Sequence, residues 1–190
     1  MKKYTIGIDF GTLSGRCLLA DVETGEEIAT SVLEYRHRVM SETLPDGTRL
    51  GVDWHLQHPG DYLDVLRITI RDVIKQAEIR PEQVIGIGID TTGCTILPIK
   101  KDGTPLCFLE RWKGSPNAYV KLWKHHAAQP YADKMTETAL ARNEKFIQRY
   151  GGKISSEWMF PKIWQVLDES PEIYDCLLYT SPSPRDGATS

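Results

Sequence analysis

Several features are missing from this sequence, and each absence removes a class of protein. No apolar run comes near the roughly 20 residues that cross a bilayer. Met1-Lys2-Lys3 leads into a short alternating segment rather than a signal-peptide core, so a cytoplasmic protein with no membrane partner is expected. Cysteine is sparse: Cys17, Cys94, Cys107 and Cys176 lie far apart and form no CxxC pair, which points to neither a zinc site nor a disulfide framework. Positive charge is not in surplus. At a net charge of −3 no broad nucleic-acid-binding face is expected. Nor is there an internal repeat of solenoid type. What is present is the composition of an ordinary globular protein, 41% hydrophobic and 26% charged over 190 residues, enough for one domain with a real core.

The first third reads as strands. Tyr4, Ile6, Ile8 and Phe10 alternate with Thr5, Gly7 and Asp9, which is strand period. "RCLLAD" (16–21) and "EIATSVLE" (27–34) continue a meander whose first turn is residues 11–15. Residues 41–51, with Pro-Asp-Gly turn chemistry, read as a surface excursion. Pro59 suits a first helical position, and Leu66, Ile70, Val73, Ile74 and Ala77 recur at spacings of three and four until Pro81. "VIGIGID" (84–90) is nearly all apolar and suits a strand buried on both faces. "TILPI" and "PLCFL" flank the turn "KKDGT" as a hairpin or bent pair.

Residues 118–168 read as mostly helical. One helix is expected near "AYVKLWKHHAA", with Val120 and Trp123 packed inward. A second runs from Pro130 to Gly151-Gly152, and a third starts near Pro161 with Ile163, Trp164 and Leu167 on one face. His125 and His126, adjacent on such a helix, would diverge by about 100° and could not chelate one metal together. From residue 177 onward "LLYTSPSPRDGATS" loses helical period just after "SPEIYD" has offered a helix start, so 177–190 is read as a non-native or disordered tail.

The densest chemistry lies in "GIDFGTLSGR" (7–16). Its glycines at 7, 11 and 15 match neither the P-loop nor the dinucleotide fingerprint, and a strand follows rather than a helix. Two readings stay open. In one, glycines with positive φ let the backbone approach a phosphate, Thr12 and Ser14 add hydroxyls, Asp9 holds a hydrated magnesium ion and Arg16 supplies charge. In the other, the segment is an ordinary hairpin loop.

A resemblance decides between them. "GIDFGTLSGR" resembles the first phosphate motif of the sugar-kinase, hsp70 and actin superfamily, and β-β-β-α-β is the order of its ribonuclease-H-like core. Within that superfamily "YRH" (35–37), "LQHPGDY" (56–62), "VIGIGIDTTGCT" (84–95), "VKLWKHHAAQ" (120–129) and "RYGGKISSEWM" (149–159) resemble the FGGY carbohydrate kinases, those acting on L-ribulose above all. Residues 1–176 would be the N-terminal domain. The resemblance implies an α/β fold with a mixed sheet flanked by helices, and ATP- and Mg2+-dependent phosphorylation of the ribulose 5-hydroxyl in arabinose catabolism. Alternatives are another ketose or polyol, such as xylulose, or a non-catalytic sugar- or nucleotide-binding module.

By the same resemblance Asp9 belongs to the magnesium and phosphate region, with Gly11, Thr12, Ser14, Gly15 and Arg16 around the ATP phosphates. Thr92, Gly93 and Cys94 would line the sugar pocket, with Trp112 and Glu157 as further contacts. Core packing remains an alternative for Trp112, and stabilising a helix start an alternative for Glu157. In such kinases the general base and the adenosine pocket belong to the second half. The 190-residue chain alone is therefore expected to be inactive, and a homodimer is a possible state of the full-length enzyme.

Overall fold

The computed structural model describes residues 2–176; the segment 177–190, set aside above as a tail, lies outside the described residues. Strands β1 (Tyr4–Phe10), β2 (Ser14–Asp21) and β3 (Glu27–Glu34) form the expected meander. A short β4 (Leu56–Gln57) precedes helix α1 (Pro59–Gln76), and β5 (Val84–Thr91) then returns parallel to β1. The sheet order is β3-β2-β1-β5. Register places Asp9 opposite Arg16 on β2 and beside Asp90 on β5.

Local chemistry accounts for α1. His58 is its N-cap, with Nδ1 accepting the Gly60 N–H at 3.1 Å, and Pro59 fills the first position where no N–H is needed. The helix ends at Ala77, followed by Glu78 in the left-handed region (φ 53°) and then by Pro81. Its buried Val65, Thr69 and Val73 pack on the face of the sheet formed by Tyr4, Ile6, Ile8, Cys17 and Leu19, which is the first core. Residues of the opposite sheet face, Thr5, Gly7 and Asp9 on β1, stay partly or fully exposed.

β5 departs from expectation. It is the edge of the sheet, and Ile85, Ile87 and Ile89 are more than half exposed because α1 lies over β2 and β3 instead. A continuous apolar run reveals that a strand can be buried but not by what.

The second half also needs correction. Residues 118–128 are not a helix. A single turn at Pro116–Ala118 leads into β6 (Val120–Lys121), which pairs antiparallel with β4, and Ile96 bridges to Lys121. The helical reading thus fails because partners about 25 and 65 residues away claim this backbone. The helix from 129 comes in two pieces, α2 (Gln129–Ala141) and α3 (Phe146–Arg149), broken around Asn143 (φ 54°) and closed by Gly151 and Gly152 at positive φ.

Helix α4 (Met159–Glu169) buries Pro161, Lys162, Gln165 and Val166, whereas Leu167 is exposed and Ile163 and Trp164 are only half-buried; α5 (Pro171–Tyr174) follows. A second core gathers Met40, Leu44, Leu56, Leu106, Tyr119 and Val166. Leu44 anchors the excursion at 41–51 in that core, so only part of it is surface. Among the described residues no helix is long and apolar enough to cross a membrane.

Candidate active site

Because β1 and β5 run parallel, the loops that follow them leave from the same edge of the sheet. The sequence marked both loops, 11–13 and 92–95, and a bond from Thr92 N–H to the Phe10 carbonyl (3.3 Å) joins their roots. Ligands of open α/β sheets bind at such carboxyl ends.

The 11–13 turn is held from below. The buried Gln57 amide donates to the carbonyls of Thr12 (2.8 Å) and Gly11 (3.3 Å), and its oxygen accepts from the Tyr62 hydroxyl at 2.5 Å. Gly11 N–H donates to Ser14 O, and Tyr35 N–H to Leu13 O. Among the described residues the N–H groups of Thr12 and Leu13 donate to no carbonyl, as a phosphate-facing turn requires. Asp9 lies on the open sheet face in a 3.7 Å ion pair with Arg16, both near half exposure, which is a weak pair in water and leaves the carboxylate accessible. Asp90 is its exposed neighbour on β5. Two accessible carboxylates on adjacent strands, beside a turn with unpaired N–H groups, fit a hydrated divalent cation carrying phosphate.

The glycines do their work differently from the cradle reading. Gly7, Gly11 and Gly15 do not have positive φ. Gly15 is buried on the α1 side, where a Cβ would lie 2.6 Å from both methyls of Val65; strand and helix meet there. At Gly11 a Cβ would meet the Ser14 carbonyl at 3.1 Å.

The 92–95 loop is a tight turn. Thr92 and Thr95 hydroxyls share a 2.8 Å bond, Cys94 is left-handed (φ 56°) and exposed, and Gly93 has nothing within 4 Å of where a Cβ would stand. Trp123, expected to pack inward, is 39% exposed instead, and its Nε1 donates to Thr12 Oγ1 at 3.2 Å. Behind both, the fully buried Lys162 donates to the carbonyls of Cys94 (2.8 Å), Leu122 (2.7 Å) and Trp123 (3.3 Å). Burial pushes its amine down to about 8, against the nearby Cys94 and Glu157, which favour the charged form. Glu157 is partly exposed and lies 3.8 Å from His126 Nε2.

Trp112 does not join this group. It is buried in the second core, where its Nε1 has no hydrogen-bond partner among the described residues. Gln57, Asp90 and Trp123 lie in blocks that share the family likeness but were given no site role from sequence, and Lys162 lies outside those blocks with no signal beyond a lysine in a mostly apolar segment. His125 and His126 diverge, but through a turn. His125 is buried and neutral, its pKa driven down to about 3 by burial and by Lys121; its Nδ1 accepts from His55 N–H and its Nε2 donates to Gln165.

His37, His58 and Asp61 also cluster. The Asp61 carboxylate is taken by the N–H and Nδ1 of His37, His58 Nδ1 caps α1, and the two rings stack at 4.2 Å. The Asp61 oxygens, His37 Nδ1 and His58 Nδ1 are thus already engaged in hydrogen bonds. The cluster is a structural clasp.

The profile of the FGGY family of carbohydrate kinases, N-terminal domain, matches residues 4–177. The chain is 56% identical over 176 residues to a ribulokinase from Shouchella clausii, and 54% identical over 175 residues to one from Geobacillus thermodenitrificans. Each match covers 92% of this chain, which spans only 31% of the length of either relative. A solved xylulose kinase from Rhodospirillum rubrum superposes with a TM-score of 0.67 at 14% identity, over 92% of this chain and 31% of that one, and so supports the fold alone. By these matches the chain belongs to the FGGY family of carbohydrate kinases, and residues 4–177 are N-terminal-domain sequence of that family.

Proposed function

We propose that this chain forms the phosphate-gripping and sugar-gripping part of an ATP-dependent kinase that phosphorylates L-ribulose on its 5-hydroxyl. The convergence of the 11–13 and 92–95 loops at one sheet edge, with Asp9 on the open face beside them, carries the reading. The likeness to ribulokinases supplies the choice of ketose.

Transfer of the γ-phosphoryl group rests on positioning and charge stabilisation. In this reading the Thr12 and Leu13 N–H groups and the Thr12 and Ser14 hydroxyls would donate to phosphate oxygens, and Arg16 would add positive charge. Asp9, through water, would hold the magnesium ion, whose part is to neutralise charge on the phosphates. Gly11 lets the turn close on Ser14, and Gly15 seats the strand on α1. Thr92, Gly93 and Cys94 form the sugar wall, with the open space at Gly93 admitting the carbon chain. Glu157 and the exposed Trp123 ring stand nearby to meet hydroxyls and carbons. The ribulose 5-hydroxyl attacks the γ-phosphorus, its proton passes to a base from the remainder of a full-length kinase, and ADP leaves.

The test is ADP release by the full-length kinase carrying this segment, with L-ribulose, xylulose and glycerol compared as acceptors. A kcat/KM highest for L-ribulose supports the reading. Preference for another sugar moves the chain to a sister specificity, and sugar binding without turnover would make it a binding module. The 190-residue chain alone is expected to release no ADP above background.

A further inference from the structure

A lysine with no exposed surface is expensive, because an ammonium leaves water only if its donors are all met. Lys162 meets that condition with three main-chain carbonyls, Cys94, Leu122 and Trp123. Replacing this lysine alone with an apolar side chain would strip those carbonyls of a donor and cost stability, so what sets its role apart is which parts of the chain it joins. Its acceptors identify them. Cys94 is the left-handed residue of the 92–95 turn, a conformation that non-glycine residues keep only when their surroundings enforce it. Leu122 and Trp123 belong to the segment from which the indole reaches Thr12 Oγ1. One side chain from α4 therefore ties the loop after β5 to the segment that touches the loop after β1.

We propose that Lys162 is a positioning residue for the ketose: by bridging the Cys94 carbonyl to those of Leu122 and Trp123, it fixes the sugar wall relative to the phosphate turn. This rests on the function proposed above. Lys121 provides the natural control. It is equally buried, donates to Gln165 Oε1 at 3.0 Å and sits 4.0 Å over the Trp54 ring, but its ammonium makes no contact with the 92–95 loop.

Two readouts on Lys162→Met and Lys121→Met test it. In the full-length kinase, Lys162→Met should raise the KM for L-ribulose at least tenfold while kcat and the KM for ATP stay within about threefold, and Lys121→Met should leave the ketose KM within twofold. In hydrogen exchange on the 190-residue chain, Lys162→Met should speed exchange at least tenfold at the Thr92 and Ile96 amides while α1 amides are unchanged. An unchanged ketose KM, or loop and α1 amides accelerating together, would overturn the proposal and leave Lys162 a general structural residue. If Lys162→Met does not fold, Lys162→Gln, with two N–H donors on a shorter arm, is judged by the same criteria. Should no sugar be phosphorylated by the full-length protein, the functional reading fails while the exchange result still decides the role of Lys162 in holding the loop.

Discussion

Replacing Gly15 with alanine separates its two candidate roles, phosphate contact and helix seat. The added Cβ would sit 2.6 Å from Val65 Cγ1 and Cγ2 and 3.1 Å from Val65 Cβ. Val65 is fully buried and β-branched on a helix, so it has essentially one rotamer and cannot swing both methyls aside. The strain must be relieved by moving α1 away from β2, and overpacking of this kind costs about 1–3 kcal/mol. For a chain of this size that is a fall in Tm of about 2–12 °C, at roughly 2–4 °C for each kcal/mol. Val65→Ala alone opens a cavity and also destabilises, yet it removes the clashing methyls. The double variant should then be more stable than the sum of the singles by at least about 1 kcal/mol. Urea melts of the four proteins in the cycle measure this directly. A Gly15→Ala variant as stable as the parent, or strictly additive with Val65→Ala, would refute the packing account.

Three further outcomes follow from the site. Asp9→Asn in the full-length kinase should lower kcat by about 10²-fold or more while changing the ketose KM little, as expected for a group acting on phosphate charge; steady-state kinetics with near-normal kcat would remove Asp9 from the site. Gly93→Leu should raise the ketose KM about tenfold with ATP affinity unchanged, since the new side chain fills open space at the sugar wall and meets no protein atom at its Cβ; calorimetric titration of each ligand separates the two affinities. Burial holds the Lys121 amine at about 7, well below the ordinary 10.5, so the unfolded chain binds more protons than the native one between those values and stability gained from this group rises with pH. The Tm difference between the parent and Lys121→Met should therefore shift in favour of the parent from pH 7 to about 9.5; a difference that is flat with pH would contradict the burial of that charge.

The parts of the fold legible in the sequence are those whose causes are local. Alternation from Tyr4 to Phe10, and the three-and-four spacing from Leu66 to Ala77 between Pro59 and Pro81, are set by backbone geometry alone, and both elements stand as expected. Val120 and Trp123 have helical spacing too, but strand pairing of Val120-Lys121 with Leu56-Gln57 is a long-range choice that no window of ten residues contains. Helix α4 shows the same limit differently. Its apolar side chains suggested the buried face, yet Lys162 and Gln165 are buried because they satisfy carbonyls and side chains elsewhere in the chain. Among the candidate site residues, Asp9, Thr12 and the 92–94 segment are legible through motif likeness. Trp123 lies in a block of the same likeness, but its role is not legible there because its exposure depends on β6 ending the strand pairing just before it, and Trp112 is equally suitable by residue type while lying in the second core.

The sugar and phosphate loops are proposed to serve one reaction, and its product reports on that most directly. Full-length kinase carrying this segment, incubated with ATP, Mg2+ and L-ribulose and followed by phosphorus NMR, is predicted to yield a single sugar monophosphate with its phosphorus coupled to the two C5 protons, in step with ADP. ATP consumption without a sugar phosphate, or a phosphate attached at another carbon, would contradict it.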